Sequence, residues 1–315
     1  EHSPRFRSMR FSIFQDTDVG GRSINQDRMG YCFSRESLLM VLADGMGGHL
    51  RGEIAAQIAM QTVASMFQQQ AMPRLRDPVA FIEQALHASH RELHRYRELH
   101  SMNECPRTTI VACVVQDGHA WWGHAGDSRL YLLRDSDILF RTLDHSKVQS
   151  LISLGLITEA EAEVHPERNK VLNCLGSPFV PPVEIHAAFP LKAGDVMMLC
   201  SDGLWSGVSR EELVREFRNE PLELAVPRLI QSALNHNGVG ADNTTVLAMK
   251  WDTDSAENDG LPSLSSMALP DGAVTTTIAI ANNLDAESVD MTEDEIDKTI
   301  AEIQEAIQRS NKEVP

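Results

Sequence analysis

Apolar positions recur at helical spacing over two stretches, 51–70 and 77–100. Ile54, Ile58, Thr62 and Met66 share one face of the first, and Phe81, Leu86, Leu93 and Leu99 one face of the second. A period near 3.6 predicts two amphipathic helices. Around them lie short runs rich in β-branched or large apolar residues, at 10–15, 28–33, 38–43, 109–115, 120–125, 129–134, 183–189, 195–200 and 244–251. Turn formers separate several of them: Asp117-Gly118, Gly126-Asp127, Asp135 and Ala193-Gly194. These runs read as strands. The order is strands, two helices, strands, a helical insert, strands, helices and a last strand. Such segregation predicts a layered α+β domain and not a βαβ repeat.

Residues 145–178 interrupt the strand pattern. Lys147–Leu154 and Thr158–Glu163 read as short helices, and Pro166 and Pro178 punctuate the remainder of the insert. An insert of this kind is either a lid over a site or a plain surface excursion. The compact domain is expected to end near Trp251. Residues 252–291 are rich in Pro, Gly, Ser, Asn and Asp and read as linker, with some strand character at Val274–Ala281. A last helix comes after the linker. Thr292-Glu293-Asp294-Glu295 has the form of a capping box, and Ile296, Ile300, Ile303 and Ile307 make one apolar stripe. That helix packs on its own domain, docks a protein partner, or dimerises.

Composition narrows the function classes. The 315 residues carry 28 basic and 45 acidic side chains, a net charge of −17. This argues against nucleic acid or an anionic membrane as the main partner. Residues 252–315 hold 15 of the acids and 3 of the bases, so the tail carries most of the excess. No apolar run approaches the ~20 residues needed to span a bilayer, and the basic stretch Glu1–Arg10 precedes no long apolar segment, so no signal peptide is expected. Five cysteines (Cys32, Cys105, Cys113, Cys174 and Cys200) are odd in number and lack a C-x-x-C. Free buried thiols in a reducing cytoplasm are expected, not a disulfide framework or a zinc site.

The chemistry lies in aspartates placed where strands stop or start. Leu38–Leu42 delivers Ala43-Asp44-Gly45, and Val196–Cys200 delivers Ser201-Asp202-Gly203. Trp121–Ala125 runs into Gly126-Asp127, Asp242 opens the last strand, and Asp27 opens an early one. A lone Asp-Gly is an ordinary turn former. Several brought together would repel by ~4 kcal/mol per pair at ~4 Å and an effective dielectric of ~20. They need either protons or cations. The donors are all oxygen, including the bare Gly45 carbonyl, which suits Mg²⁺ or Mn²⁺ over Zn²⁺. Two such ions can lower the pKa of a shared water and hold a phosphate oxygen. Arg22, five residues before Asp27, has the planar fork that grips phosphate.

Eight segments, in order, resemble the metal-dependent protein phosphatases of type 2C in their bacterial form. They are Asp18-Val19-Gly20 with Arg22 and Asn25-Gln26-Asp27; Ala43-Asp44-Gly45-Met46-Gly47-Gly48-His49 with Gly52-Glu53; Thr108-Thr109; Gly126-Asp127-Ser128-Arg129; Asp144-His145-Ser146; Leu175-Gly176; Ser201-Asp202-Gly203-Leu204-Trp205; and Ala241-Asp242-Asn243-Thr244-Thr245. One alone is weak; eight in order are specific.

The resemblance implies a central antiparallel β-sandwich flanked by helix pairs, four layers in all, with metals at one edge. It places a catalytic domain at 9–251 with a flap at about 145–178; the acidic linker at 252–291 and the amphipathic helix at 292–309 lie outside the resemblance. It implies that Asp44 bridges two Mn²⁺ or Mg²⁺ ions, that Gly45 offers its carbonyl to one, and that Asp202 and Asp242 hold the other. Asp27 would bind a metal or orient its water, Arg22 would take the phosphate, and Asp127 would help a third, looser ion. The implied reaction is hydrolysis of phosphoserine or phosphothreonine in cytoplasmic proteins by metal-activated water, opposing a bacterial Ser/Thr kinase. The alternative is a catalytically weak binding module of the same fold acting through its acidic tail; a Ca²⁺-binding structural domain is a third reading. Two departures matter. Met46 stands where eukaryotic members place a histidine, which leaves water or His49 as general acid. Ser206 stands where an aspartate often assists the third ion.

Other residues read as background. His87, His90 and His94 share a helix face with Arg91, Arg95 and Arg97 and read as a solvated basic face. Trp121, Trp122 and Trp205 read as core.

Overall fold

A computed structural model describes residues 9–47, 51–252, 264–265 and 274–279. The expected helices are present as α1 (Gly52–Gln70) and α2 (Pro78–Leu99), and Asp77 caps α2 by accepting from the Ala80 N–H. The predicted runs form β1 (Arg10–Asp18), β2 (Asp27–Phe33), β3 (Ser37–Met46), β5 (Ile110–Gln116), β6 (His119–Ala125), β7 (Arg129–Arg134), β9 (Glu184–Pro190), β10 (Val196–Cys200) and β11 (Thr244–Asp252). Four short strands join them: β4 (Arg107–Thr108), β8 (Asp137–Arg141), β12 (Leu264–Ser265) and β13 (Thr275–Ala279). In the insert, α3 (Lys147–Ser153) and α4 (Glu159–Glu163) match expectation. After β10 come α5 (Asp202–Trp205), α6 (Arg210–Asn219) and α7 (Leu222–Asn237).

Two antiparallel sheets result. One has the strand order β12-β1-β11-β10-β7-β8, the other β13-β2-β3-β5-β6-β9, with β4 pairing β3. Both β12 and β13 lie in the stretch expected to be linker; β12 pairs Arg10 and Phe11 at the start of β1, and β13 pairs Met29–Phe33 along the outer edge of β2. An edge strand presents unpaired N–H and C=O groups, which is the physical reason for such pairing. The expected helix at 292–309, and His49, lie outside the described residues.

Alternation along each strand builds the layers. Leu38, Met40 and Leu42 of β3 point between the sheets, where they meet Phe11, Leu130, Leu132, Met197, Leu199, Leu247 and Met249. Leu39 and Val41 point the other way, onto Ile58, Val63, Phe81 and Leu86 of α1 and α2. On the far face Met198, Val246 and Ala248 pack on Leu213, Leu229 and Ile230 of α6 and α7. The order is α-β-β-α. Central strands are covered on both faces, so their sequences read as unbroken apolar runs. All five cysteines are buried, and none forms a disulfide.

Candidate active site: a carboxylate cluster at one end of the sandwich

Antiparallel pairing brings the acidic strand ends together. Asp27 opens β2 and stands directly opposite Asp44 near the end of β3. Asp202 follows β10, which pairs on one side with β11; Asp242 leads into β11. Asp127 follows β6 through Gly126. The charges of Asp27, Asp202, Asp127 and Asp242 all act on Asp44. The five carboxylates thus form one cluster, with Asp27 and Asp127 almost wholly buried.

Burial and crowding raise their hold on protons. Burial first, then Asp27, Asp202, Asp127 and Asp242, pushes Asp44 well above the usual carboxylate range. Burial pushes Asp27 up to about 7, although hydrogen bonds from Thr245 and Ser201 oppose it. Asp127 rises to about 8 through burial, Asp202 and Asp144. Asp202 rises to about 6 through burial and Asp242, with Arg22 pulling the other way.

The backbone around these groups is fixed by close approach. A Cβ on Gly45 would lie 2.0 Å from the Gly52 carbonyl oxygen, so the end of β3 and the start of α1 can touch only because both are glycine. Gly20 has φ +62°, and a Cβ there would lie 2.5 Å from the Asp242 carbonyl oxygen. Asn243 clamps the same loop. Its Nδ2 donates to the carbonyls of Val19 (2.9 Å) and Ile24 (3.1 Å), and its Oδ1 accepts the Gln26 N–H (2.8 Å). Asp44 is held through its main chain: its carbonyl accepts from Thr109 N (2.9 Å) and Thr108 Oγ1 (2.8 Å).

Asp27 ends a relay of donors. Asn25 Nδ2 donates to Thr17 Oγ1 (2.9 Å), Thr17 Oγ1 meets Thr245 Oγ1 (2.7 Å), and Thr245 Oγ1 donates to Asp27 Oδ2 (2.6 Å). Asp27 Oδ1 is buried and has no hydrogen-bond partner among the described residues. A buried acceptor left unpaired costs ~1–3 kcal/mol, so Oδ1 is an atom waiting for a donor or a cation. Arg22 Nη2 lies 2.7 Å from Asp242 Oδ2 with more than half of its side chain exposed, so its other nitrogens face solvent beside the cluster.

All seven residues singled out from the sequence (Arg22, Asp27, Asp44, Gly45, Asp127, Asp202 and Asp242) therefore stand at this end of the molecule. Of their holders, sequence reasoning quoted Asn25, Asn243 and Thr245 within the matching segments without giving them a role, and it passed over Thr17. It also missed the buried ion pair in which Arg129 Nε and Nη2 donate to the two Asp144 oxygens at 2.8 and 2.7 Å.

Two background readings are corrected. Trp205 is not simply core: its Nε1–H donates to the Asp127 carbonyl (2.9 Å), and the Arg129 guanidinium lies 3.7 Å from its ring centroid. Nor is the face of His90 and His94 solvated. His90 is buried, and its Nδ1 accepts the Gly176 N–H (3.2 Å); His94 Nε2 lies 2.8 Å from the Ser177 carbonyl. Burial, with His94, His87 and Arg91 nearby, pushes His90 down to about 4, so it stays a neutral acceptor. Ser206, at the position where an acid often assists a third ion, accepts from Asn237 Nδ2 at 3.2 Å.

Comparison with known proteins identifies a family. The family model described as Protein phosphatase 2C matches residues 19–235. The serine/threonine protein phosphatase PstP of Mycobacterium tuberculosis is 34% identical over 227 residues, which cover 72% of this chain and 42% of PstP. The chain thus spans less than half of PstP. Protein phosphatase PhpP of Streptococcus pneumoniae is 30% identical over 249 residues, covering 76% of this chain and 98% of PhpP. The crystal structure of M. tuberculosis PstP superposes with a TM-score of 0.68 at 31% identity, covering 78% of this chain and all of that one. The PstP catalytic domain solved with two manganese ions gives 0.66 at 29% identity, with the same coverage. With the fold and these likenesses in agreement, the chain belongs to the protein phosphatase 2C family.

Proposed function

We propose that this chain hydrolyses phosphoserine and phosphothreonine esters in proteins at a centre of two Mn²⁺ or Mg²⁺ ions. The observation that carries the reading is the convergence of Asp27, Asp44, Asp127, Asp202 and Asp242 on one cluster in which Asp27 and Asp127 are buried. Near neutral pH such a set is made tolerable only by protons or by cations, and the unpartnered Asp27 Oδ1 favours a bound group. The donor set is all oxygen, as Mg²⁺ and Mn²⁺ prefer. Asp44 and the Gly45 carbonyl would hold one ion, with Asp44 shared; Asp202 and Asp242 would complete the other. Asp127 would serve a third, looser ion, with Ser206 giving it no anionic help. Bound ions supply acidified water and neutralise phosphate charge.

The chain's own groups do the rest. Arg22 uses the nitrogens it does not spend on Asp242 to orient the phosphate. Asp27, its Oδ2 held by Thr245, uses its free Oδ1 to orient the attacking water and take its proton. The P–O bond to the serine or threonine breaks in line, and that oxygen takes a proton from solvent, since Met46 has none to give. The catalytic unit would span 9–251, work in the cytoplasm and oppose a Ser/Thr kinase, with the Ile296–Ile307 stripe docking a protein partner.

The test is phosphate release from p-nitrophenyl phosphate and from a phosphothreonine peptide. Turnover should require added Mn²⁺, stop in EDTA, and resume when Mn²⁺ is restored. Turnover that ignores EDTA would overturn the metal centre, and none with any divalent ion would leave the binding-module reading.

A further inference from the structure

His145 lies outside the carboxylate cluster yet fixes its outer wall. Its backbone N–H donates to the Gly126 carbonyl (2.9 Å), and the Gly126 N–H donates back to its Nδ1 (3.2 Å). Gly126 has φ +122°, and a Cβ there would lie 2.5 Å from the Thr109 Cβ. No side chain can therefore steady this turn, and its orientation depends on such hydrogen bonds. The next residue is Asp127, whose carbonyl is held from the other side by Trp205. Trp205 lies under Arg129, Arg129 grips Asp144, and Asp144 precedes His145 in the chain. The ring of contacts is closed.

The same imidazole reaches the end of the insert. Asn173 Nδ2 lies 2.8 Å from His145 Nδ1 and also donates to the Pro182 carbonyl (2.7 Å). The His145 carbonyl accepts the Leu172 N–H (2.8 Å). Two N–H donors aimed at Nδ1 require a lone pair there, so the proton sits on Nε2, which lies 3.4 Å from Glu184 Oε2.

His124, His145 and Glu184 have ligand atoms within 4.8 Å of one another, a spacing that would suit a transition metal. Their chemistry does not. One His145 nitrogen carries the proton and the other accepts two N–H groups. The rings of His124 and His145 also stack at 4.4 Å and 21° instead of converging on a point.

We propose that His145 is a positioning residue: held as the Nε2–H tautomer, it locks the Gly126–Asp127 turn to the closing segment of the insert and so aims the Asp127 carboxylate into the metal centre. This rests on the reading that Asp127 serves a metal ion. His145 touches no reacting atom in this role.

The experiment compares the Mn²⁺ dependence of turnover in the full chain for wild type, D127N, H145F, H145N and D127N/H145F. Phenylalanine keeps a ring for the stack and loses the acceptor. Asparagine carries an acceptor oxygen near the place of Nδ1. H145F should raise the Mn²⁺ concentration for half-maximal turnover by about tenfold, as loss of a residue supporting a ligand commonly does, with kcat at saturating Mn²⁺ little changed. H145N should restore the wild-type value, and H145F should add nothing to D127N. Imidazole NMR of the wild type should show the proton on Nε2, a readout that needs no variant to fold.

A silent H145F beside an affected D127N overturns the inference and leaves the metal role of Asp127 standing. A silent D127N removes that role and the inference with it. A proton on Nδ1, H145F and D127N effects that simply add, or Zn²⁺ uptake that disappears in both H145F and E184Q, would each overturn it as well.

Discussion

Replacing Asp44 by Asn tests the crowding of charge directly. Asp27 and Asp44 are opposed in the β2–β3 ladder. Side chains on opposed residues stand about 5 Å apart, and two carboxylates at that distance repel by about 3 kcal/mol at an effective dielectric of about 20. Asp202, Asp127 and Asp242 add to the load on Asp44. Asparagine has nearly the same shape, and the contacts of the Asp44 main chain to Thr108 and Thr109 remain. Metal-free Asp44→Asn should therefore be more stable than wild type at alkaline pH, by about 1–3 kcal/mol, or a rise in Tm of roughly 2–10 °C for a domain of this size.

The raised proton affinities set the sign of the pH dependence. Asp202 is pushed up to about 6, Asp27 to about 7 and Asp127 to about 8, and Asp44 moves in the same direction. Each binds its proton more tightly folded than unfolded. The stability they lend is full below the unfolded value of 3.8 and is lost as pH rises through the folded values. The advantage of Asp44→Asn should be small at pH 5 and grow towards pH 8.5. Saturating Mn²⁺ should reverse the order, because a ligand at 100 times its Kd adds about 2.7 kcal/mol to the form that binds it. Thermal melts across that pH range, in EDTA and in MnCl₂, read both effects, and turnover should be nearly abolished. A variant less stable than metal-free wild type at every pH, or one with an equal Mn²⁺ shift, would refute the reasoning.

Three further outcomes are expected. Arg22→Ala should mainly raise KM, since Arg22 stands exposed beside the cluster in a single pair with Asp242; a collapse of kcat with KM unchanged would mean that it acts on the transition state alone. Gly45→Ala should cost about 1–3 kcal/mol by overpacking and lose turnover, because its methyl would lie 2.0 Å from the Gly52 carbonyl; normal melting and turnover would contradict that close approach. The native protein should resist a thiol reagent such as dithionitrobenzoate while all five cysteines react in denaturant, since burial raises the Cys113 and Cys200 thiols and pushes Cys105 up to about 11; fast native labelling would count against that packing.

What could be read in the sequence was local. Strand ends announce themselves by an apolar run followed by Asp-Gly, so Asp44 and Asp202 stood out before any pairing was known. The helices declared their period. The short strands β4 and β8 did not, because two to five residues carry too little alternation to register. The strand character at Val274–Ala281 pointed to β13 but not to its place beside β2, and the two residues of β12 were hidden altogether. His90 looked solvated because arginines surround it in sequence; only the approach of Gly176 shows that its ring faces inward.

The roles of the site's holders were illegible for the same physical reason. The Thr245 hydroxyl that binds Asp27 lies 218 residues away, and Asn243 reaches 219 residues to Ile24. Such contacts exist only once the β1–β11 register, with Asp18 opposite Thr244, has set both loops at one end of the sandwich. Register thus does two jobs. It gathers the acids that need a cation, and it delivers the hydroxyls and amides that fix their aim. A one-residue slip of β2 against β3 would turn Asp27 to the other face of its sheet, and the remaining acids would meet without the group that orients water. The alternation that packs Leu38, Met40 and Leu42 between the sheets forbids that slip, so the apolar core specifies the geometry of the charged site.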